Sequence, residues 1–574
     1  MDNLLLKKFE KESDLAKRKW SGQIMEIKRC RSWANGFVPS VIGDATGTNE
    51  RVRANLILAT NEGMLPHIYA KNPEVSVRPE LYVTDLDQME YEAIKQFALT
   101  GEAAINREFA QGKLKKAMKA LIRSSQTSKI GWLKVSYQRD IYTDPIIKNR
   151  LEDAQDNLML LEAKEKDEKK NHSEEDKQVI KALIGSLKAQ VEIIRAEGIV
   201  FDKLDVENVR IDPSINDLQM YDKGRWIEHL EDISEDAIKN QYAMSSKEIE
   251  KLTAFRKGDG VDAEQTYRIH ERWDKSLNTI FTWAEGGEDW IKEPFAPTQS
   301  GWRWYPFFLL GFHWIDGEEW PQSDVEGLVP LQIEYDDVRK MRTEHIGMSS
   351  PYMIFDKGRV SPSDIKSVTT STGREFVGID GNGQSLGDVF VDGPKPSFNP
   401  QLYDVAGILA DMQWVSGLQD AERGGVLRAK TLGEAQIMQS GLASRTGERQ
   451  DELEDFLTEV ATYVLELLLQ FWTIDIARKV AGPKAVWPDM DKRDIFDLVV
   501  VKIRAGSTGK PDKAREQQAW ATGLQAFTEL VTQALQYRQQ SQAKNDQNPY
   551  ALLLQETLKR YDERLDIDEF LPME

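Results

Sequence analysis

Apolar residues recur near a 3.6-residue period at the start of the chain, where Phe9, Leu15, Trp20 and Ile24 stand among Lys and Glu. That spacing predicts helix. It returns over 50–70 and over 86–125, the second stretch rich in Ala, Lys and Gln. Between them Val75–Val83, interrupted by Pro79, reads as short extended pieces. Alternation of period two marks 131–147 (GWLKVSYQRDIYTDPII) and 199–228 as strand blocks. The charged segment separating these blocks, about 148–197, carries two apolar stripes. Leu151, Leu158 and Leu161 form one; Ile180, Leu183, Leu187, Val191 and Ile194 form the other, with Ser173 and Asp176 placed to cap it. The pattern predicts a helical hairpin projecting from a sheet, with a charged loop as the alternative.

Downstream, Ser234 is placed to cap a short helix (SEDAIKNQYA), and 265–315 is strand-like and aromatic. A helix is expected over Leu331–Gly347, then a compact Gly-, Ser-, Pro- and Val-rich β insert over 348–398, then a second helix over about 400–415. The polar loop 416–430 (SGLQDAERGGVLRAK) ends at a capping box, Thr431 with Glu434. A long helical pattern follows to about Arg478, striped by Leu453, Phe456, Val460, Val464, Leu467, Phe471 and Ile474. Gly433, Gly441 and Gly447 predict a bend in its first half. Residues 494–505 read as a strand, and from Ala514 onward the pattern is helical and Gln-rich.

Length and charge narrow the function classes. At about 150 residues per domain, 574 residues suggest roughly three to four units. With 40% hydrophobic and 30% charged residues the chain is globular in composition. Its net charge of −20 is the opposite of what non-specific nucleic-acid binding requires. Cys30 is the only cysteine, which excludes an intrachain disulfide and a zinc site with two cysteines from one chain. No stretch approaches the ~20 apolar residues of a membrane span, and the start lacks the apolar run of a signal peptide. A soluble protein made in a reducing compartment is expected.

Most motifs of catalysis fail on inspection. Gly509-Lys510 looks like the end of a phosphate-binding loop, but Arg504 stands where its first Gly belongs and Pro511 where Ser or Thr should hold magnesium. Asp380-Gly-Asn-Gly begins like a calcium loop and has Val391, not Glu, at its twelfth position. The six histidines include no pair at the i,i+4 spacing of a zinc helix. No metal or cofactor is therefore expected. The best enzyme candidate is the Trp-rich stretch 273–320 with Asp316, Glu318 and Glu319, since carboxylates beside aromatic platforms suit carbohydrate hydrolysis. Ordinary sheet packing explains the same aromatics. In the loop 416–430, Arg423, Arg428 and Lys430 lie beside Gly424 and Gly425, a mobile cationic segment in an acidic chain.

The order of these parts resembles the portal protein (head-to-tail connector) of tailed bacteriophages, the short-tailed type in particular. Asn208-Val-Arg-Ile-Asp-Pro213, followed by the Trp226 strand and the SEDAIK helix, is similar to the family's wing region. Trp320-Pro-Gln-Ser-Asp-Val-Glu-Gly-Leu-Val-Pro-Leu-Gln332 is similar to the approach to its stem, and helix, β insert, helix to stem, clip, stem. Ser416-Gly417, Gly424-Gly425 and then Thr431 and Glu434 opening a long helix are similar to its channel loop and supporting helix. The resemblance covers most of 50–480 and rests on the ordered set.

It implies an α+β subunit with a mixed α/β wing over 1–330 that includes the hairpin insertion at about 148–197. A two-helix stem at 331–347 and 399–415 would carry a small β-containing clip at 348–398. The channel or tunnel loop would be 416–430, with Gly417, Gly424 and Gly425 as hinges and Arg423, Arg428 and Lys430 touching DNA. A long helix and the C-terminal part of the wing would occupy 431–505, and a helical crown 506–574. It further implies a ring of twelve copies at one capsid vertex, a conduit for packaging and ejecting double-stranded DNA, with no catalytic activity of its own. Expected partners are the terminase large subunit, which hydrolyses the ATP, tail adaptor proteins, and the major capsid and scaffolding proteins, with no membrane. The expected location is the virion, after synthesis in the host cytoplasm. Twelve copies at −20 each carry a formal −240, a wall that repels a polyanion and touches it only locally. The alternatives are a soluble carbohydrate-active hydrolase using 273–320, and another virion ring or scaffold protein.

Overall fold

The structure, a computed structural model, describes residues 2–38, 54–79, 88–143, 192–242, 244–257, 264–297, 303–349, 353–355, 390–392, 399–418, 432–487 and 499–503. It adds helical positions at 180, 366, 528–529, 531–534, 536–537, 550 and 553. The fold is a mixed α+β one, and the chain divides into two compact units rather than the three or four that length suggests. Neither unit is continuous in sequence. The first gathers 1–24, 64–322 and 437–574; the second gathers 25–63 and 323–436.

The first unit opens with helix α1 (Asp2–Lys19). Its buried face is Leu6, Phe9, Ser13 and Ala16, continued by Trp20. Leu15, expected on that face, is 55% exposed. Small and polar residues, Ala16 and Ser13, hold the positions that apolar counting gave to Leu15, because the helix lies close on a sheet with a polar group to satisfy. After α2 (Ser21–Ala34) and α3 (Leu56–Ile68) comes β1 (Val75–Pro79), then α4 (Gln88–Gln111) and α5 (Leu114–Ser128). Lys113, in the left-handed region at φ 55°, turns the chain between the last two helices.

Strands β2 (Ile130–Thr143) and β3 (Glu192–Leu204) pair antiparallel over nearly their whole lengths, from Trp132 opposite Leu204 to Thr143 opposite Glu192. This corrects the far boundary of the predicted hairpin. Ile194, placed on a helical stripe, is in strand opposite Ile141, because extending the ladder satisfies backbone groups on both strands. The rest of the predicted hairpin, apart from a helical Ile180, lies outside the described residues. Gly131 lets β2 approach α5, since a Cβ there would sit 2.7 Å from the Leu121 carbonyl oxygen.

The block 199–228 is less regular than its alternation suggested. It contains 3-10 turns at Val206–Asn208 and Leu218–Lys223, each started by an aspartate (Asp205, Asp217) whose side chain accepts a backbone N–H. Short β4 (Val209–Ile211) lies between them. β5 (Trp226–Ser234) leads into α6 (Glu235–Tyr242) and α7 (Ser246–Ile249). With β6 (Ala254–Lys257), β7 (Glu264–Asp274), β8 (Thr279–Ala284) and β9 (Trp290–Phe295), these strands form a six-stranded antiparallel sheet in the order β4-β5-β7-β8-β9, with β6 paired to β7. Leu6 and Phe9 of α1 pack on it against Phe281 and Trp283.

β10 (Phe307–Gly311) completes a three-stranded sheet in the order β10-β2-β3. Among the later elements, α8 (Asp324–Met348), β11 (Met353–Phe355), β12 (Phe390–Asp392) and α9 (Ala406–Ser416) belong to the second unit. The long α10 (Leu432–Phe471) lays its stripe against the three-stranded sheet: Tyr463 meets Phe308 edge-on at 5.5 Å and Phe471 stacks on Tyr137 at 4.4 Å. The helical pattern does not run unbroken to Arg478, because Trp472 and Thr473 separate α10 from α11 (Ile474–Ala481). β13 (Val499–Ile503) returns to pair with β1, Val75 opposite Ile503.

Candidate assembly surface

In the second unit, α8 starts seven residues earlier than the stretch predicted from Leu331. Ser323 accepts the Glu326 N–H at 3.2 Å while the Glu326 carboxylate accepts the Ser323 N–H at 3.2 Å, a complete capping box. Pro330 is inside the helix. Burial of Val325, Leu328 and Val329 against Cys30, Trp33, Ile57 and Met412 holds the helix through it. Gln332, fully buried, takes the Leu56 N–H at 3.0 Å and donates to the Ala54 carbonyl at 2.9 Å, clamping the start of α3 to the middle of α8.

Beyond Tyr335 nothing on α8 is buried. Residues 336–348 make a rod of about 20 Å with no core beneath it among the described residues. Its surface carries Met341 (52% exposed), Ile346 (50%) and Met348 (63%). The helical segment expected over 400–415 is a 3-10 turn at Pro400–Tyr403 followed by α9 from Ala406. His345 and Tyr403 hydrogen-bond at 2.6 Å and fasten the turn to α8. Here too apolar groups face outward: Leu402 at 70%, Trp414 at 75% and Val415 at 55% exposure. Only Ile408 and Met412 of α9 are buried. Between the two helices, β11 and β12 pair antiparallel, Ile354 opposite Val391. The remainder of 348–398 lies outside the described residues, apart from 348–349 and Lys366.

A helix of this length is marginal in water without tertiary support. Exposed Met, Ile, Leu and Trp on α8, the 400–403 turn and α9 are what a protein–protein contact needs and what a free surface avoids.

The sequence-predicted site residues fall unevenly. Gly417 ends α9 in the left-handed conformation (φ 75°), its N–H donating to the Gln413 carbonyl. A side chain would be strained there. Arg423, Gly424, Gly425, Arg428, Lys430 and Thr431 lie outside the described residues. α10 begins at Leu432, and Glu434 is in its first turn.

Three of the tryptophans of 273–320 are spent on packing. Trp273, Trp283 and Trp320 are buried, Trp320 against Trp20 at 5.9 Å, and Glu319 pairs with Lys19 at 3.2 Å. Trp290, Trp304 and Trp314 are half-buried, and Trp302 lies outside the described residues.

Two groupings escaped the sequence reading. Glu26, Cys30 and Glu326 bring one ligand atom each within 4.8 Å. The Cys30 thiol already accepts from the Ser323 hydroxyl at 3.7 Å and Glu326 is engaged in the cap, so packing and capping account for the trio. The other lies beneath α1. Glu228, fully buried, accepts from Ser13 at 2.5 Å and meets His270 Nδ1 at 2.8 Å through the same oxygen. Arg210 donates to Ser13 at 2.6 Å, and Glu285 lies 3.8 Å from His270 Nε2. Burial alone would lower the His270 pKa; its bond to Glu228 and the nearby Glu285 carboxylate outweigh that and raise it. Burial would raise Glu228, and His270, Ser13 and Arg210 reverse it to a net lowering. Ser13 and His270 share a carboxylate and do not bond to each other, so the pairing that activates a serine nucleophile is absent. These residues join α1 to β4, β5 and β7, and their long sequence separations are why no motif announced them.

A cleft of about 340 Å3 opens in the first unit, lined by Lys275, Arg303, Trp304, Tyr305, Thr462, Tyr463 and Glu466 among others. Arg303 crosses it to Glu459 at 2.6 Å and also donates to the Tyr221 hydroxyl. Among the described residues no helix is long and apolar enough to cross a membrane.

Comparison with known proteins finds no family model that matches the chain and no curated protein that matches it.

Proposed function

We propose that the chain is the subunit of a portal ring: a non-enzymatic conduit at a capsid vertex through which DNA is packaged and ejected, and on which terminase and tail proteins dock. The observation that carries this reading is the outward apolar surface of α8, the 400–403 turn and α9 around a small β pair. A helical pair that cannot bury its own apolar residues is stabilised by copies of itself. The order of segments supports the same reading, since the β pair lies between two helices and the long α10 opens directly after the Gly-containing loop 416–430. The acidic charge fits a channel that must let a polyanion slide.

Gel filtration followed by negative-stain imaging tests it. Rings with a central hole are expected. A chain that stays monomeric at micromolar concentration would remove the proposal, and glycosidase activity in that monomer would favour a hydrolase in its place.

A further inference from the structure

Two stripes of opposite charge on the first unit do not meet each other in the fold described above. α1 buries one face, and the opposite face carries Leu4, Lys7, Lys8, Lys11, Leu15 and Arg18, all exposed. Asp14 is the one carboxylate among them, and Lys8 reaches Glu12 only at 3.9 Å. No carboxylate lies within ion-pair distance of Lys7, Lys11 or Arg18 among the described residues. In a chain of net charge −20 this is a local reversal of sign. Leu4 and Leu15 are 82% and 55% exposed on the same face, so it offers apolar contact as well as charge. Phosphate binding alone has no use for those leucines.

The complement is on α10. Glu448, Asp451, Glu452, Asp455 and Glu459 are exposed at helical spacing along one side of that helix. Partial desolvation, followed by repulsion from Asp455, Glu448 and Asp451, holds the Glu452 carboxyl above its ordinary range, the mark of crowded like charges. Arg303 reaches only the last of the five, Glu459. Lys7 to Arg18 and Glu448 to Glu459 each span eleven residues, about 16 Å of helix. Among the described residues, no hydrogen bond or ion pair joins the two stripes within one chain.

We propose that the outer face of α1 docks antiparallel on the acidic stripe of α10 in a second copy of this chain. In that register Lys7 joins Arg303 at Glu459, Lys11 faces Asp455 and Arg18 faces Glu448, while Leu4 arrives at Thr462, on the rim of the cleft beside Trp304 and Tyr463. The two faces differ, so the contact is heterologous and repeats around a closed ring. The inference rests on the ring reading above and adds a contact in the first unit to the apolar one in the second. The contact uses exposed charge, so salt weakens it, and it governs how fast and in which register copies meet.

The test is a charge swap on the full chain, read by sedimentation velocity and imaging at low and high salt. K7E/K11E/R18E should lower the assembled fraction about tenfold near 0.1 M salt while leaving the helical circular dichroism unchanged. Adding E448K/D455K/E459K to that variant, the positions opposite the three reversed residues, should restore assembly, a result that misfolding cannot imitate. Wild-type rings with unchanged assembly of K7E/K11E/R18E would overturn this contact and leave the ring reading standing. Wild-type chain that never assembles would overturn both. Reversed variants that assemble normally but no longer bind a double-stranded DNA oligonucleotide would make α1 a nucleic-acid surface and refute the docking.

Discussion

Glu228 is an ionised carboxylate with no surface in water, and such a group is tolerated only beside groups that offset its lost hydration. His270, Ser13 and Arg210 gather at one of its two oxygens, and they tie α1 to the six-stranded sheet. Arg272 does the same nearby, its guanidinium 3.9 Å from the Phe9 ring centre and 4.2 Å from that of Trp226, paired with Glu12 and Asp274. The pH dependence has a defined sign. The folded-state pKa of His270 is raised, so its contribution is full below the ordinary histidine value of about 6.5 and is lost as pH rises through the folded value. The folded-state pKa values of Glu228 and Glu285 are lowered, so their contributions are full above about 4.3 and are lost as pH falls through the folded values. The melting-temperature gap between wild type and His270→Gln should therefore be widest below about pH 6.5 and narrow toward alkaline pH. A gap that widens toward alkaline pH would show that the imidazole is buried neutral.

At the scale of elements, period and capping located most helices, and burial set their ends. The Ser323 box moved the start of α8 across Pro330, and the ladder with β2 moved the start of β3 to Glu192. Apolar spacing alone had assigned part of that strand to a helix, because Val191 and Ile194 fit a 3.6 period. The distal half of α8 yields a prediction. Met341→Ser with Ile346→Ser removes side chains that are half-exposed and outside every buried cluster among the described residues, so folding stability should change by no more than about 0.5 kcal/mol per substitution. Assembly should weaken by roughly 1.5–3 kcal/mol for each side chain that the contact fully buries. Concentration-dependent sedimentation, set beside thermal melting of the dissociated chain, separates the two. Equal losses in both would mean that these side chains serve the monomer.

Over the whole molecule, the −20 charge and the two-unit division frame what DNA would meet. If 416–430 lines the channel, Arg423→Ser with Arg428→Ser should leave rings intact and change DNA packaging or retention. The salt dependence of retention should flatten by about one unit of slope for each phosphate that the loop no longer neutralises. Normal packaging and retention by those rings would remove the loop from the conduit. Disrupted rings would instead assign the two arginines to carboxylates of a neighbouring copy.

The sequence by itself determined the kind of most elements and the mixed α+β class. Those follow from local propensity, period and capping, which act over a few residues. It also determined the acidic charge and the single cysteine. The tertiary structure decided which face of α1 is buried, because Ser13 faces inward for reasons that lie 197 and 215 positions away, at Arg210 and Glu228. It decided that Trp273, Trp283 and Trp320 fill cores, since a ring at an alternate strand position is equally suited to packing and to a platform until its neighbours are known. It also decided where the apolar surface remains, because whether Met341 or Trp414 is covered depends on every other segment packed around it. Long-range contacts carry no local pattern, and for that reason both the buried Glu228–His270 network and the exposed helices of the second unit emerged only from the packed chain.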